Sequence, residues 1–141
     1  MASSVALLRG EELVDEVSAP AGPAAETLLP AVDRLLDRAG VALGEVEAFA
    51  ISIGPGSFTS LRVGIATVKG LAFEGDLPIA PVSTLAALAC AADPTDRLVV
   101  PMLDARRGEV YAAAYAGGSR REVVLPEGVY TPEALCARIR P

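Results

Sequence analysis

The chain has 141 residues, a formal net charge of −6 at pH 7 and 52% hydrophobic residues, although only 4% of its residues are aromatic. A chain of this length can bury the core of one domain or of two small lobes, and it is too short for a large multidomain enzyme. The sequence contains no histidine. This excludes Ser-His-Asp triads, Cys-His dyads and histidine-ligated zinc within these residues.

Charge, cysteines and apolar runs indicate the class of protein. Residues 1–50 hold nine of the 18 acidic side chains and three of the 12 basic ones, so contact with nucleic acid is expected only through a partner. Cys90 and Cys136 lie far apart in sequence and are predicted to be reduced, buried side chains of a cytosolic protein. The longest apolar run, residues 85–92, has about eight residues where a membrane span needs about 20. We therefore expect neither a membrane segment nor a signal peptide.

The first third of the chain predicts two short strands and a helix. The strands are expected at residues 3–9 and 12–18, on either side of a turn. In the helix that follows, Thr27 is the expected N-cap, which would place Pro30 in the first turn, and Gly40 ends the helix. The apolar stripe of this helix consists of Leu28, Leu29, Val32, Leu35, Leu36 and Ala39.

The middle of the chain alternates strands with helices, which predicts a parallel sheet with helical crossovers. Residues 48–53 are apolar except for Ser52, which is typical of a strand buried on both faces. The elements expected after it are a loop at 54–59, a helix at 61–73, a strand at 79–82, and a helix at 85–91 that Ser83 or Thr84 caps.

The last third of the chain begins after a polar boundary. Its two paired strands repeat the arrangement at the start of the chain, which indicates a duplicated fold. The features expected here are the boundary at 93–96, a hairpin of strands 98–104 and 109–116, a strand near 122–125, and a helix with Thr131 as N-cap and Pro132 at its first position.

The loop that contains Gly54, Gly56 and Ser57 is one of two candidate anion sites. It precedes a helix N-terminus, whose free N–H groups can hold a phosphate or a carboxylate. The same residues also suffice to turn a strand into a helix. We favour the turn because the spacing matches neither a Walker loop nor a dinucleotide fingerprint.

The second candidate is the turn that contains Asp104, Arg106 and Arg107. Asp104 could hold magnesium, with the two arginines as anion clamps. A single carboxylate is weak evidence for a metal. A hairpin turn stabilised by Asp104 is therefore the favoured interpretation.

The helix predicted at residues 61–73 has apolar or small side chains around most of its surface. Gly64 and Gly70 in its interior each cost about 1 kcal/mol relative to alanine. Such a helix is either sandwiched in its own core or presents one side to a partner, and both alternatives stay open. Together with the helix before it, it could form a two-helix docking surface.

Four ordered blocks of sequence resemble the bacterial TsaB family. The blocks are residues 53–64 (IGPGSFTSLRVG), 69–72 (KGLA), 82–85 (VSTL) and 104–111 (DARRGEVY). The resemblance implies an α/β, actin-like ATPase fold built from two ribonuclease-H-like lobes. Residues 1–94 would form the first lobe, and residues 97–141 would form part of the second.

The resemblance also implies a function. It implies a non-catalytic cytoplasmic paralogue of the transferase TsaD, which acts in threonylcarbamoyl transfer to adenosine 37 of tRNA, with the ATPase TsaE and with TsaC in the same pathway. Contact with tRNA would be indirect. No catalytic residue, metal or cofactor is expected, and ATP or ADP would bind only at a partner interface. The implied surface for TsaD, or for a second copy of the chain, comprises Leu28, Leu29, Val32, Leu35, Leu36, Thr59, Leu61, Val63, Gly64, Thr67 and Gly70.

Three features depart from the family pattern. The strand with which the family begins is missing before residues 3–9, and its absence would leave a gap beside the strand at 48–53. The chain stops at Pro141, inside the second lobe, and Ser60 replaces the usual glycine. We therefore expect a shortened family member.

The alternative function is that of an ATP- and magnesium-binding phosphotransferase or ATPase of the actin-like superfamily. It would use Asp104 and the loop at 54–59. A protease, which is an older label for the family, is disfavoured because the sequence has no histidine and no plausible nucleophile–base pair.

Overall fold

The structure is a computed structural model that describes residues 3–92, 97–117 and 122–139. Two compact units divide the chain: Met1–Ser52 with Ser57–Pro81, and Ile53–Gly56 with Val82–Pro141. The elements are β1 (Ser4–Arg9), β2 (Glu12–Ser18), α1 (Ala24–Ala39), β3 (Phe49–Gly54), α2 (Phe58–Phe73), β4 (Ile79–Ser83), α3 (Thr84–Cys90), β5 (Leu98–Val99), β6 (Met102–Arg106), β7 (Glu109–Ala116), β8 (Val123–Tyr130) and α4 (Pro132–Ile139). None of the helices in the described ranges is long and apolar enough to cross a membrane.

The first unit begins with the antiparallel hairpin β1–β2, as the sequence predicts. Val5 pairs with Val17 in its register. Helix α1 packs on this hairpin and buries Ala31 and Leu35 against Val17 and Ala19. Since alternate residues of a strand point to opposite faces, one face of the hairpin is covered and the other carries exposed side chains.

Helix α1 starts earlier than the sequence indicated. Its N-cap is Pro23, and the Thr27 N–H already donates to the Pro23 carbonyl at 3.2 Å. The prediction of Thr27 as N-cap is therefore wrong, and Pro30 lies inside the helix. The end was correctly predicted, because Gly40 takes the left-handed conformation, φ 65°, that terminates helices.

Strand β3 pairs with β4, and helix α2 connects the two strands. Across residues 3–92, β1–β2 and β3–β4 form two separate sheets. The prediction that the strand at 48–53 is buried on both faces is wrong, since Ala50 and Ser52 are exposed and Ile53 is 51% exposed. A continuous apolar run permits burial on both faces, but burial occurs only where another element packs.

The second unit has a four-stranded sheet around β7. Strand β7 pairs with β5, β6 and β8, all antiparallel. Helix α3 covers one face, where Leu85 and Ala89 meet alternate residues of β7. Helix α4 covers the other face through Leu135. Alternate residues of β7 point to opposite faces of the sheet, and a helix covers each face. Ala112 to Tyr115 are therefore all buried.

Local signals in the second unit were largely confirmed. Ser83 caps α3, and Thr131 caps α4 by accepting the Ala134 N–H at 3.2 Å. The strand predicted at 98–104 is divided into β5 and β6, and the strand near 122–125 continues to Tyr130. The predicted boundary at 93–96 lies outside the described residues. The compact units divide between Pro81 and Val82, and the lobe limits of 1–94 and 97–141 stay predictions.

Both cysteines are free and exposed, so the prediction of burial is wrong. Cys90 follows Ala89 and Cys136 follows Leu135, and both of these neighbours are buried. Successive residues of a helix point about 100° apart. The position after an inward-facing residue therefore turns toward the surface.

Candidate functional site

Helix α1 uses most of its apolar stripe inside the first unit. Leu35, one of the predicted docking residues, belongs to the buried cluster on the β1–β2 hairpin. Leu29 is 46% exposed, whereas Leu28, Val32 and Leu36 are half-buried. The exposed face of α1 otherwise carries five charged side chains. This helix therefore offers little apolar surface to a partner.

Helix α2 has one continuous exposed strip, the α2 strip, formed by Phe58, Thr59, Arg62, Ala66, Lys69, Gly70 and Phe73. At about 100° per residue, these positions lie within about 120° of one another around the helix. Phe58, 72% exposed, and Phe73, 87% exposed, lie at its two ends. The Arg62 guanidinium carbon lies 5.2 Å from the centroid of the Phe58 ring. Between the rings, Ala66 and Gly70 would allow another backbone to approach closely.

The predicted docking residues of α2 divide between this strip and the interior. Thr59 and Gly70 lie in the strip, and Leu61, Val63 and Thr67 are half-buried. Gly64 is buried, and a Cβ added there would lie 3.3 Å from Cδ1 of Ile51 on β3. Gly64 therefore serves packing within the first unit.

Phe58 and Phe73 are not among the surface residues predicted from the sequence. The available signal was weak: two of only three phenylalanines lie 15 positions apart. That spacing is a little over four helical turns, so it places both rings on the same side of one helix. Nothing in the sequence indicates that this side is the uncovered one.

The loop before α2 acts as a turn and a helix cap. Gly54 has φ 109°, a conformation that favours glycine. Ser57 is the N-cap of α2, and its Oγ accepts the Ser60 N–H at 3.5 Å and the Ser60 hydroxyl at 3.2 Å. Ser60, which stands where the family usually has glycine, therefore takes part in the cap. An anion site at Gly54, Gly56 and Ser57 stays a prediction.

Residues 104–109 form the hairpin tip between β6 and β7. Asp104 Oδ1 accepts the Arg106 N–H at 2.7 Å, which is the turn bond expected from the sequence. Arg106 and Arg107 are exposed. Among the described residues, no group of three or more His, Cys, Asp or Glu side chains could hold a metal ion.

A polar cluster joins α3 to β8 within the second unit. The Ser83 hydroxyl donates to Glu127 Oε1 while Ser83 Oγ accepts the Ala86 N–H at 3.1 Å. The hydroxyl of Tyr115, which is 5% exposed, lies 3.3 Å from the same carboxylate oxygen. Burial, followed by the negative charge of Glu127, raises the pKa of Tyr115 above its ordinary value of 10.0. The neutral phenol is thus part of the folded structure.

Comparison with known proteins agrees with this architecture. Residues 23–138 match the family model described as TsaD: tRNA N6-adenosine threonylcarbamoyltransferase. The tRNA threonylcarbamoyladenosine biosynthesis protein TsaB of Haemophilus influenzae is 44% identical over 114 residues, which cover 78% of this chain and 48% of that protein. TsaB of Bacillus subtilis is 37% identical over 109 residues, which cover 76% of this chain and 48% of that protein.

A solved structure gives the same result. YeaZ from Pseudomonas aeruginosa superposes with a TM-score of 0.82 at 39% identity, covering 93% of this chain and 63% of YeaZ. The predicted α/β, actin-like ATPase fold is thereby confirmed. The chain spans about half the length of the curated relatives it matches. It belongs to the TsaD family of threonylcarbamoyltransferase-like proteins and, within that family, it is a TsaB-type protein.

Proposed function

We propose that this chain is a non-catalytic, cytoplasmic subunit of the machinery that makes threonylcarbamoyladenosine at adenosine 37 of tRNA, and that it acts by docking on the transferase TsaD. The names of its relatives in Haemophilus influenzae and Bacillus subtilis support the pathway. TsaE and TsaC are the other expected members of that pathway. Any ATP or ADP would bind at the interface with a partner.

The α2 strip is the observation that carries the docking proposal. Burying a large apolar side chain is worth about 1.5–3 kcal/mol, so exposed rings at both ends of one helix are a large unused source of binding energy. The small residues between them suit close packing by a helix of the partner. Leu29 of α1 is the exposed apolar side chain among the implied docking residues of that helix, and α1 packs against α2 in the same unit.

A role in catalysis has less support. The carboxylate of Asp104 already accepts the Arg106 N–H, and the described residues contain no group of three or more His, Cys, Asp or Glu side chains that could hold a metal ion. An ATPase of the actin-like superfamily needs both the nucleotide and its metal. Calorimetry with ATP and Mg²⁺ on the isolated chain tests this alternative, and we expect no heat of binding.

Substitution at Gly70 separates docking from folding. A Cβ added at Gly70 meets no atom within 4 Å, and leucine is a better helix former than glycine by nearly 1 kcal/mol. Gly70→Leu should therefore fold at least as well as the wild type. In co-purification with TsaD, we expect it to lose binding because the larger side chain prevents close approach of the partner.

The matched control uses two leucines of nearly equal exposure on different helices. Leu29 of α1 is 46% exposed and Leu88 of α3 is 44% exposed. Leu29→Gln should weaken capture of TsaD, whereas Leu88→Gln should not. If Gly70→Leu and Leu29→Gln bind TsaD as well as Leu88→Gln does, the α2 strip is not the docking surface. A wild-type chain that homodimerises but never binds TsaD would instead favour a second copy as the partner.

A further inference from the structure

The hairpin tip at residues 104–109 places two arginines in a backbone conformation that arginine does not favour. Arg107 and Gly108 are the two loop residues, since Arg106 pairs with Glu109. Their φ values of 56° and 80° are those of a type I′ turn, for which asparagine and glycine are the preferred residues. Arg106, just before the loop, also has a positive φ of 69°. A residue with a Cβ is disfavoured at such φ values.

The local hydrogen bond explains the backbone but not the choice of side chain. Asp104 Oδ1 holds the Arg106 N–H, and Ala105 is left out of the ladder register between Asp104 and Arg106. Asparagine or glycine at 106 and 107 would satisfy the same turn at lower cost. Sparsely populated backbone conformations of this kind cluster at functional sites.

The two guanidinium groups have no use inside the described structure. The ion pair found among residues 3–92, 97–117 and 122–139 joins Arg38 to Asp15, and the arginine–ring contacts involve Arg62 and Arg138. Arg106 and Arg107 are exposed and contact no acceptor there. They are therefore available to an external anion.

We propose that Arg106 and Arg107 are a contact point for the phosphodiester backbone of tRNA once this chain has joined its transferase partner. This inference rests on the proposed function, and it replaces the expectation that this chain contacts tRNA only indirectly. The guanidinium fork matches phosphate oxygens. A hairpin tip is convex, and it thus suits an extended polyanion better than a small nucleotide, which requires a concave pocket. The negative balance of the chain lies in residues 1–50, away in sequence from this tip.

The test is a salt titration of tRNA binding by the complex of this chain with TsaD, using an unmodified tRNA transcript. The variant is Arg106→Asn/Arg107→Asn, because asparagine tolerates a positive φ and lacks the charge. The charge-matched control is Arg9→Asn/Arg97→Asn, which removes two exposed arginines elsewhere. The slope of log K against log salt is negative, and each lost phosphate contact reduces its magnitude by roughly 0.7–0.9. The variant should therefore reduce the magnitude of the slope by roughly 1.5. Its thermal midpoint should be equal to that of the wild type or higher.

Three results would overturn the inference. An unchanged slope means that no phosphate contact is made, and a slope lowered equally in the control means that the effect is one of net charge alone. Loss of TsaD binding by the variant, with an unchanged slope for whatever complex remains, would assign the arginines to an acidic protein surface. A wild-type chain that does not bind TsaD is a separate outcome: the proposed function fails, and this inference, which rests on it, fails with it.

Discussion

The two glycines of α2 should respond oppositely to the same substitution. Replacing glycine by alanine inside a helix stabilises it by about 1 kcal/mol. At Gly70 a new Cβ meets no atom within 4 Å, so Gly70→Ala should gain that full amount. At Gly64 the new Cβ would lie 3.3 Å from Ile51 Cδ1, which is closer than the optimal carbon–carbon separation of about 3.5–4.0 Å.

The cost at Gly64 should cancel the helix gain or exceed it. Gly64 is buried, and added atoms in a packed interior cost about 1–3 kcal/mol. The net effect of Gly64→Ala on the free energy of unfolding should therefore lie between almost no change and a loss of about 2 kcal/mol. With a urea dependence of about 1–3 kcal/mol per molar, 1 kcal/mol corresponds to a shift of roughly 0.5 M in the unfolding midpoint.

Urea unfolding followed by circular dichroism measures both variants on one scale. A third variant, Gly64→Ala/Ile51→Val, removes Cδ1 and with it the close contact, so the double-mutant cycle should show a favourable coupling between the two substitutions. If Gly64→Ala raises the midpoint as much as Gly70→Ala does, contact with β3 is not the reason for glycine at position 64.

Three further predictions concern stability. Burial raises the pKa of Tyr115 above 10.0. The stabilisation that depends on its neutral phenol is therefore complete below pH 10.0 and is lost as the pH rises through the folded-state pKa. Tyr115→Phe should accordingly make the thermal midpoint less sensitive to alkaline pH. Leu85 is fully buried, so Leu85→Ala should lower the free energy of unfolding in urea by about 2–5 kcal/mol. Leu88→Ala should change it by no more than about 0.5 kcal/mol. Equal effects of the two substitutions would contradict the assigned core. The Arg38–Asp15 ion pair is 2.9 Å long, and its side chains are 56% and 20% exposed. Asp15→Asn should therefore lower the free energy of unfolding by less than about 1 kcal/mol, and this loss should shrink in high salt. A larger loss that does not depend on salt would refute a solvent-screened pair.

Local chemistry made several features readable from the sequence. Gly40 ends α1 because a left-handed residue terminates a helix, and Thr131 caps α4 because its side chain can accept a free first-turn N–H. The turn at Asp104 follows from the short reach of its carboxylate. The family was also recognisable, because its ordered blocks are themselves stretches of sequence.

Burial and exposure required the tertiary structure. The stripe containing Leu35 and the helix containing Gly64 looked equally suited to a core or to a partner, and the fold turned both of these residues inward. Conversely, it left Phe58 and Phe73 outside, and it uncovered Ile53 in a strand that reads as fully apolar. Helical and strand periodicity are properties of one segment, so the sequence by itself determined which residues share a face. Which face is covered depends on the segments that pack against it, and only the tertiary structure decided that.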